Sequence, residues 1–516
     1  MQRTHVTLPS LSRMHWPPDA YRRDDLSERV LQFGTGMLLR ALCVASVDAA
    51  NRAGAFHGRI VVVQSTSQGN ARALNAQDGL FTLVERGLLD GAPLERARLV
   101  GAVSRALVAD REWPVVRDVV AQPELQVIVS NVTEAGFRLD DGADGARAGA
   151  GAPRSFPAKL VDLLRTRFER LPDGPLLWVI PTELVPRNGP RLAAMVDQLA
   201  GGQGGGREFR AWLGERVRFS SSLVDRITTG VPPGEAREAL ESRFGYRDAL
   251  LTIAEPYAFW AVEGDPDALR SALPIDGDPG AVTYAPDIGT YEERKLRLLN
   301  GAHTALAPLA ILGGIKTVRA AAEHARFGPV LSRVLFDELV PGAALPSGAG
   351  EAFARSVLER FRNPWLEHEW RVIATNQTAK MRVRVVPAIE RFVTKQGRAP
   401  LLLAVACAAH LRYLRPVSID VGSGPAASGW WRGTGYPIVD ADLALVASHW
   451  RAVAPAEATP FPPLPPEALE RLVARALADK ALWGTSLVAL PGFLDATSRA
   501  LIALERDGVE GVLPRD

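Results

Sequence analysis

Lys295, Asn300 and His303 are the residues of this chain whose types and spacing most readily do chemistry. Lysine and histidine exchange protons, and a carboxamide donates a hydrogen bond to an oxygen on which charge is building. Just upstream, Thr290-Tyr291-Glu292-Glu293 has the pattern of a capping box, with Thr290 as N-cap and Glu293 reaching back. A helix is therefore expected to start there and run towards Leu309. At about 100° per residue Asn300 lies about 140° and His303 about 80° round from Lys295, over roughly 12 Å of axis, so one broad face carries all three. Leu296, Leu299, Leu306 and Leu309 fall where they anchor the helix in a core. Spacing taken alone favours a plainer reading: a solvated lysine paired with an early glutamate, and two ordinary polar contacts.

A second stretch bears on the same question. Arg29 to Phe33 (RVLQF) reads as a short buried strand, Gly34-Thr35-Gly36 follows it, and a helical pattern runs from Met37 to about Asn51. In such a turn the first glycine permits the tight reversal, and the second lets a pyrophosphate approach the backbone at the helix N-terminus, where N–H groups are unpaired. The third position of the usual G-x-G-x-x-G is Leu39, so the full fingerprint is absent, and a bare G-x-G also occurs in methyltransferases and plain turns. The second apolar strand, Arg59 to Gln64 (RIVVVQ), ends in Gln64 where an acidic residue normally holds a ribose 2′-hydroxyl. A glutamine amide can still make that bond, and no Lys or Arg follows until Arg72 to meet a 2′-phosphate. NAD is expected in preference to NADP, which is not excluded.

The elements that must position these residues divide the chain in two. Leu125 to Asn131 and Leu176 to Pro181 repeat the strand type between helical patterns, which indicates parallel βαβ units. From about Tyr291 long helical periodicity takes over with few strand candidates, so the second half is expected to be helical. The fold class is thus an α/β, Rossmann-like N-terminal domain with a parallel sheet, residues 22–286, and a mostly α-helical C-terminal domain, residues 287–516. Gly142 to Gly151 and Gly201 to Gly206 read as surface loops, and Pro460 to Pro466 as a connector before the closing helices.

Composition narrows the partners. Sixty basic against fifty-eight acidic residues, with no block of like charge, argues against nucleic acid. The two cysteines, Cys43 and Cys407, lie in apolar runs and supply neither a disulfide framework nor a thiolate metal site. With no leader-like or membrane-spanning run, a cytoplasmic protein without membrane attachment is expected.

Lys295-Leu-Arg-Leu-Leu-Asn300-Gly-Ala-His303 resembles the K-x-x-x-x-N-x-x-H signature of the mannitol dehydrogenase, or polyol-specific long-chain dehydrogenase, family. The likeness is nearest to that family's tagaturonate reductase (altronate oxidoreductase) branch, whose turn is similar to Gln32-Phe33-Gly34-Thr35-Gly36 and whose second strand is similar to Val61 to Gln64. Gln77-Asp78-Gly79-Leu80, Ser130 to Gly136, Val224 to Ile227 and Phe361 to Pro364 also look like family landmarks, so the resemblance spans about Arg29 to Lys380. It departs from polyol-oxidising members at Thr182-Glu183-Leu184, where they read Cys-Asp-Asn, and at Val372, where they carry a substrate-binding arginine that this chain has next door as Arg371.

The resemblance implies NAD-dependent reduction of a keto-uronate to an aldonate in hexuronate catabolism, with no metal. It implies cofactor contacts at Gln32, Phe33, Gly34, Thr35, Gly36, Met37, Gln64, Asn131, Thr133 and Glu134. Lys295 would be the acid, Asn300 the donor to the carbonyl oxygen, and His303 the group that orients substrate hydroxyls or the lysine. Arg294 or Arg297 would help depress the lysine pKa. Substrate contacts fall to Glu183, Asp225, Arg371 and Lys380, and the cation for a sugar carboxylate is one of Lys380, Arg371, Arg382 and Arg384. A fructuronate reductase, a hexitol dehydrogenase and a catalytically dead sugar-acid or dinucleotide sensor are the alternatives.

Overall fold

A computed structural model describes residues 8–140, 151–202, 206–231, 233–277, 281–418, 426–453 and 463–514. Most of the glycine-rich stretch from Gly142, the centre of Gly201 to Gly206, Pro460 and the side chain of Glu134 lie outside the described residues. The chain forms two compact units, Met1–Gly87 with Pro93–Ile288, and Leu88–Ala92 with Gly289–Asp516.

The first unit is built on a six-stranded parallel sheet of Ser27–Phe33, Gly58–Gln64, Val103–Val108, Val127–Ser130, Leu177–Pro181 and Val217–Phe219. Across the sheet they run third, second, first, fourth, fifth, sixth, the order in which the first strand sits at the switch point of a doubly wound fold. Alternation explains the layering. Leu31, Phe33, Val61 and Val63 pack on one side against helices Ala109–Val120 and Phe156–Arg170, while Val30, Ile60 and Val62 face Leu42 and Val44 of the helix after the glycine turn. Both faces are covered, as parallel sheets require.

Two smaller sheets were not anticipated. Phe81–Leu89 and Ala92–Val100 join Thr252–Ala254 and Thr228–Thr229, and Ser222–Asp225 pairs antiparallel with Phe259–Glu263 beside Val282–Ala285. Charges in the long pair blur its period-two pattern; they are met by ion pairs, Glu85 with Arg96 (2.5 Å) and with buried Arg226.

The second unit is helical around Leu401–Tyr413, which is buried along nearly its whole length and packs against Asn300–Leu312 and Phe493–Asp507. The helical expectation needs one correction: Pro416–Ser418, Ala426–Trp431 and Thr434–Val439 form a three-stranded antiparallel sheet. Its hairpin turns on Arg432 and Gly433, both at positive φ (43° and 91°), the two-residue geometry that matches strand twist. No described helix is long and apolar enough to cross a membrane.

Candidate active site

In the first unit the glycine turn is braced on every side. Gly34 has φ 123°, and a Cβ there would stand 2.8 Å from the Asn131 carbonyl oxygen, so only glycine fits. Its N–H donates to Val63 (3.0 Å), and the Asn131 N–H donates to Phe33 (2.9 Å), which ties three strand ends together. The Thr35 hydroxyl accepts from Asn70 N–H (3.1 Å), and its carbonyl accepts from Arg40 (2.6 Å). Gln32, fully buried, donates to the Gly34 carbonyl (2.9 Å), and its Oε1 has no partner among the described residues.

Gly36 caps the helix that starts at Met37, and a Cβ there would meet nothing within 4 Å. That open space over a helix N-terminus is the cradle a pyrophosphate fits. The Phe33 side chain, in contrast, packs edge-on to Phe156 in the core, so only its backbone belongs to the turn. Gln64 spends both ends of its amide on its own loop, donating to Thr66 O (2.9 Å) and accepting from Ala71 N–H (3.1 Å).

The neighbouring loop carries strain. Thr133, exposed and β-branched, has φ 67°, a conformation such residues rarely adopt. Asn131 Nδ2 donates to Thr182 Oγ1 (3.0 Å), and buried Glu183 accepts from Ser130 Oγ (3.1 Å) and Val132 N–H (2.9 Å). Burial pushes the Glu183 carboxyl up, against those hydrogen bonds. Asn188, which sequence reasoning did not single out, clamps this loop: its Nδ2 donates to the carbonyls of Pro181 (3.1 Å), Glu183 (3.0 Å) and Ser222 (2.9 Å). Ser222 opens the strand that ends in buried Asp225.

In the second unit the expected helix is present but differs in two respects. It begins at Gly289, so Thr290 lies inside the first turn rather than capping it. Glu293 turns to other partners: it accepts from Arg297 (3.2 Å), Arg391 (2.5 Å) and Ala344 N–H (3.2 Å). From Lys295 to Leu299 the backbone widens to a π-turn, in which the Asn300 N–H donates to the Lys295 carbonyl five residues back. A wider turn advances less per residue, so Asn300 is drawn round towards Lys295 from the α-helical angle. Regular α-helix resumes from Asn300 to Leu312.

The neighbours of the lysine are also redistributed. Arg297, paired with Glu293, donates to the carbonyls of Val383 and Arg384 (3.0 Å to the latter), in a second π-turn spanning Met381–Val385. Arg294 lies over the rings of Tyr291 (5.0 Å) and Phe353 (4.9 Å).

His303 is 7% exposed, stacked on Phe361 (centroids 4.4 Å) and edge-on to His368 (5.1 Å), with its Nε2 unpartnered among the described residues. Burial first, then His368, Arg360, Arg384 and Lys380, hold its pKa well below the usual histidine range, so the ring is neutral at working pH. Thr304 Oγ1 donates to the Asn300 carbonyl (2.7 Å) and accepts from Arg384 Nη1 (3.3 Å). Lys380 donates to the Ile373 carbonyl (2.8 Å), and burial with Arg384 lowers its pKa to about 8. Arg371 stands apart, exposed and ion-paired with Glu369. The unit thus gathers His368, Lys380 and Arg384 around His303, one turn along the helix from Asn300. His368 had no local signal, because only folding sets it against His303.

A switch-point glycine turn in one unit and a Lys-Asn-His helix in the other define a nicotinamide-dependent oxidoreductase of the two-unit dehydrogenase kind. Family models agree: the mannitol dehydrogenase Rossmann domain matches residues 28–275 and the mannitol dehydrogenase C-terminal domain residues 287–421. The altronate oxidoreductase of Halalkalibacterium halodurans is 35% identical over 96% of this chain and 94% of its own length. That of Klebsiella pneumoniae is 33% identical over 97% and 98%. Among solved structures, Pseudomonas fluorescens mannitol 2-dehydrogenase in ternary complex with NAD and D-mannitol has a TM-score of 0.68 at 23% identity, over 98% of both chains. Substrate-free D-sorbitol dehydrogenase has a TM-score of 0.74 at 21% identity, over 98% of this chain and 100% of that one. The chain belongs to the mannitol dehydrogenase family, as its motifs suggested, and acts with a nicotinamide dinucleotide on a CH–OH group or the corresponding ketone.

Proposed function

We propose that this enzyme interconverts tagaturonate and altronate with NAD(H), in hexuronate catabolism in the cytoplasm. The observation that carries the reading is identity of 33–35% with altronate oxidoreductases over nearly the whole length of both chains. The Thr182-Glu183-Leu184 segment supports it, because Glu183 is committed to Ser130 and Val132 and no amide stands where polyol-oxidising relatives carry one. For the cofactor, the absence of a cation between Gln64 and exposed Arg72 favours NAD over NADP. Both cysteines are buried and unpaired, in keeping with a reducing compartment.

When bound, the nicotinamide supplies the hydride for the ketone carbon. Lys295 delivers the proton to the developing alkoxide, and the π-turn, which draws Asn300 round towards Lys295, supports its amide as the donor to the same oxygen. His303, neutral and with a free Nε2, accepts from or donates to a substrate hydroxyl. Lys380, beside His303, contacts the remaining polar groups.

The test is NADH absorbance with tagaturonate, fructuronate and fructose in parallel, repeated with NADPH. Rapid loss with tagaturonate and NADH is the expected result. Turnover of fructose alone would place the enzyme with the hexitol dehydrogenases, and turnover with none would turn attention to a binding role.

A further inference from the structure

An acidic sugar needs a cation for its carboxylate, best a guanidinium with an open two-pronged edge. The four cations eligible by sequence are not equivalent once folded. Arg371 is exposed and held by Glu369. Arg382 spends its donors on Asp442 (3.0 Å) and on the carbonyls of Ala481 (2.7 Å) and Leu482 (3.3 Å). Lys380 is a single-point donor already bonded to Ile373.

Arg384 is different. It sits half-buried beside His303 and Lys380, and among the described residues no carboxylate pairs with it. Among the described residues the one hydrogen bond of its side chain runs from Nη1 to Thr304 Oγ1 at 3.3 Å. Even a partly buried cation without a counter-ion carries a desolvation cost, and an anion that arrives with the substrate offsets it.

Resting on the substrate class proposed above, we propose that Arg384 is the specificity residue that holds the substrate carboxylate, its Nη1 fixed by Thr304 and its Nε–Nη2 edge facing the acid. The same Thr304 hydroxyl donates to the Asn300 carbonyl, so one buried group sets the fork relative to the residue that binds the reacting oxygen. A neutral ketose leaves the guanidinium unpaired and is rejected for that reason.

The experiment measures kcat and KM of the full-length enzyme with tagaturonate and with tagatose, which has a primary alcohol in place of the carboxylate. In Arg384→Met the tagaturonate-to-tagatose ratio of kcat/KM should fall about 100-fold, mainly through KM for the acid, and Arg384→Lys should recover part of it. Thr304→Val, which keeps the charge but frees the fork, should lower the ratio less; it guards against a misfolded Met variant. An unchanged ratio in all three overturns the proposal. If the wild type prefers fructuronate, the ratio is read on that acid against fructose, so Arg384 is tested although the epimer was misassigned. A wild type that prefers neutral ketoses overturns both.

Discussion

A lysine donates a proton near neutral pH only when its ammonium is partly withdrawn from water or faces other cations. Replacement of Lys295 by alanine is expected to lower kcat about 10²- to 10⁴-fold while NADH binding, read by nucleotide fluorescence, stays near wild type; full turnover in that variant would remove Lys295 from the chemistry. Lys380 makes a pH-dependent contribution of known sign. With its pKa lowered to about 8, it is mostly charged at pH 7 and loses that charge as pH rises through 8. KM for an acidic substrate should therefore climb on the alkaline side, and Lys380→Arg, which stays charged, should flatten the climb; a rise of equal steepness in both proteins would assign it elsewhere. Histidine ionisation adds no acid limb from His303, whose ring is already neutral. The Lys-Asn-His signature was legible because it is one contiguous stretch. The choice among Arg371, Arg382 and Arg384 was not, since all three read alike in one dimension and differ only in what meets them: Glu369, Asp442 or the Thr304 hydroxyl.

Among elements, the strand–turn–helix around Gly34 was readable from composition because a positive φ and a carbonyl 2.8 Å from any Cβ leave glycine no substitute. Gly34→Ala should cost about 1–3 kcal/mol in urea unfolding and weaken NADH binding, as the turn either strains or moves away from Asn131. An alanine variant with unchanged midpoint and unchanged NADH affinity would mean the turn is looser than its geometry implies. The helix of Lys295 was legible as a helix but not in its register. Counting at the α-helical angle set Asn300 about 140° round from Lys295 on one broad face, and the π-turn from Lys295 to Leu299 narrows that angle. Such a turn has no propensity signature. Here it packs against the second π-turn, whose carbonyls at Val383 and Arg384 are met by Arg297, a residue the sequence suggested as a charge beside the lysine.

At the scale of the whole molecule, the nucleotide site belongs to a sheet whose order and covered faces make it a unit with its own core. Ligand that binds only the folded form stabilises it by mass action, so NADH at a hundredfold excess over its Kd should add about 2.7 kcal/mol to the unfolding of that unit. Scanning calorimetry with and without NADH reads this directly, and an unmoved transition would count against a dinucleotide site at Gly34 to Met37. The sequence by itself determined the parallel α/β unit, the helical second half, the glycine turn and the Lys-Asn-His helix, because periodicity, turn chemistry and contiguous motifs are local properties of a chain. Only the tertiary structure decided that Glu183 spends its carboxylate on the Ser130–Val132 segment and Gln64 its amide on its own loop, that His303 is a neutral ring against Phe361 and His368, and that Arg384 is a cation with no acid beside it among the described residues. Burial and pairing depend on which distant residues share one neighbourhood, and no spacing along the chain specifies that.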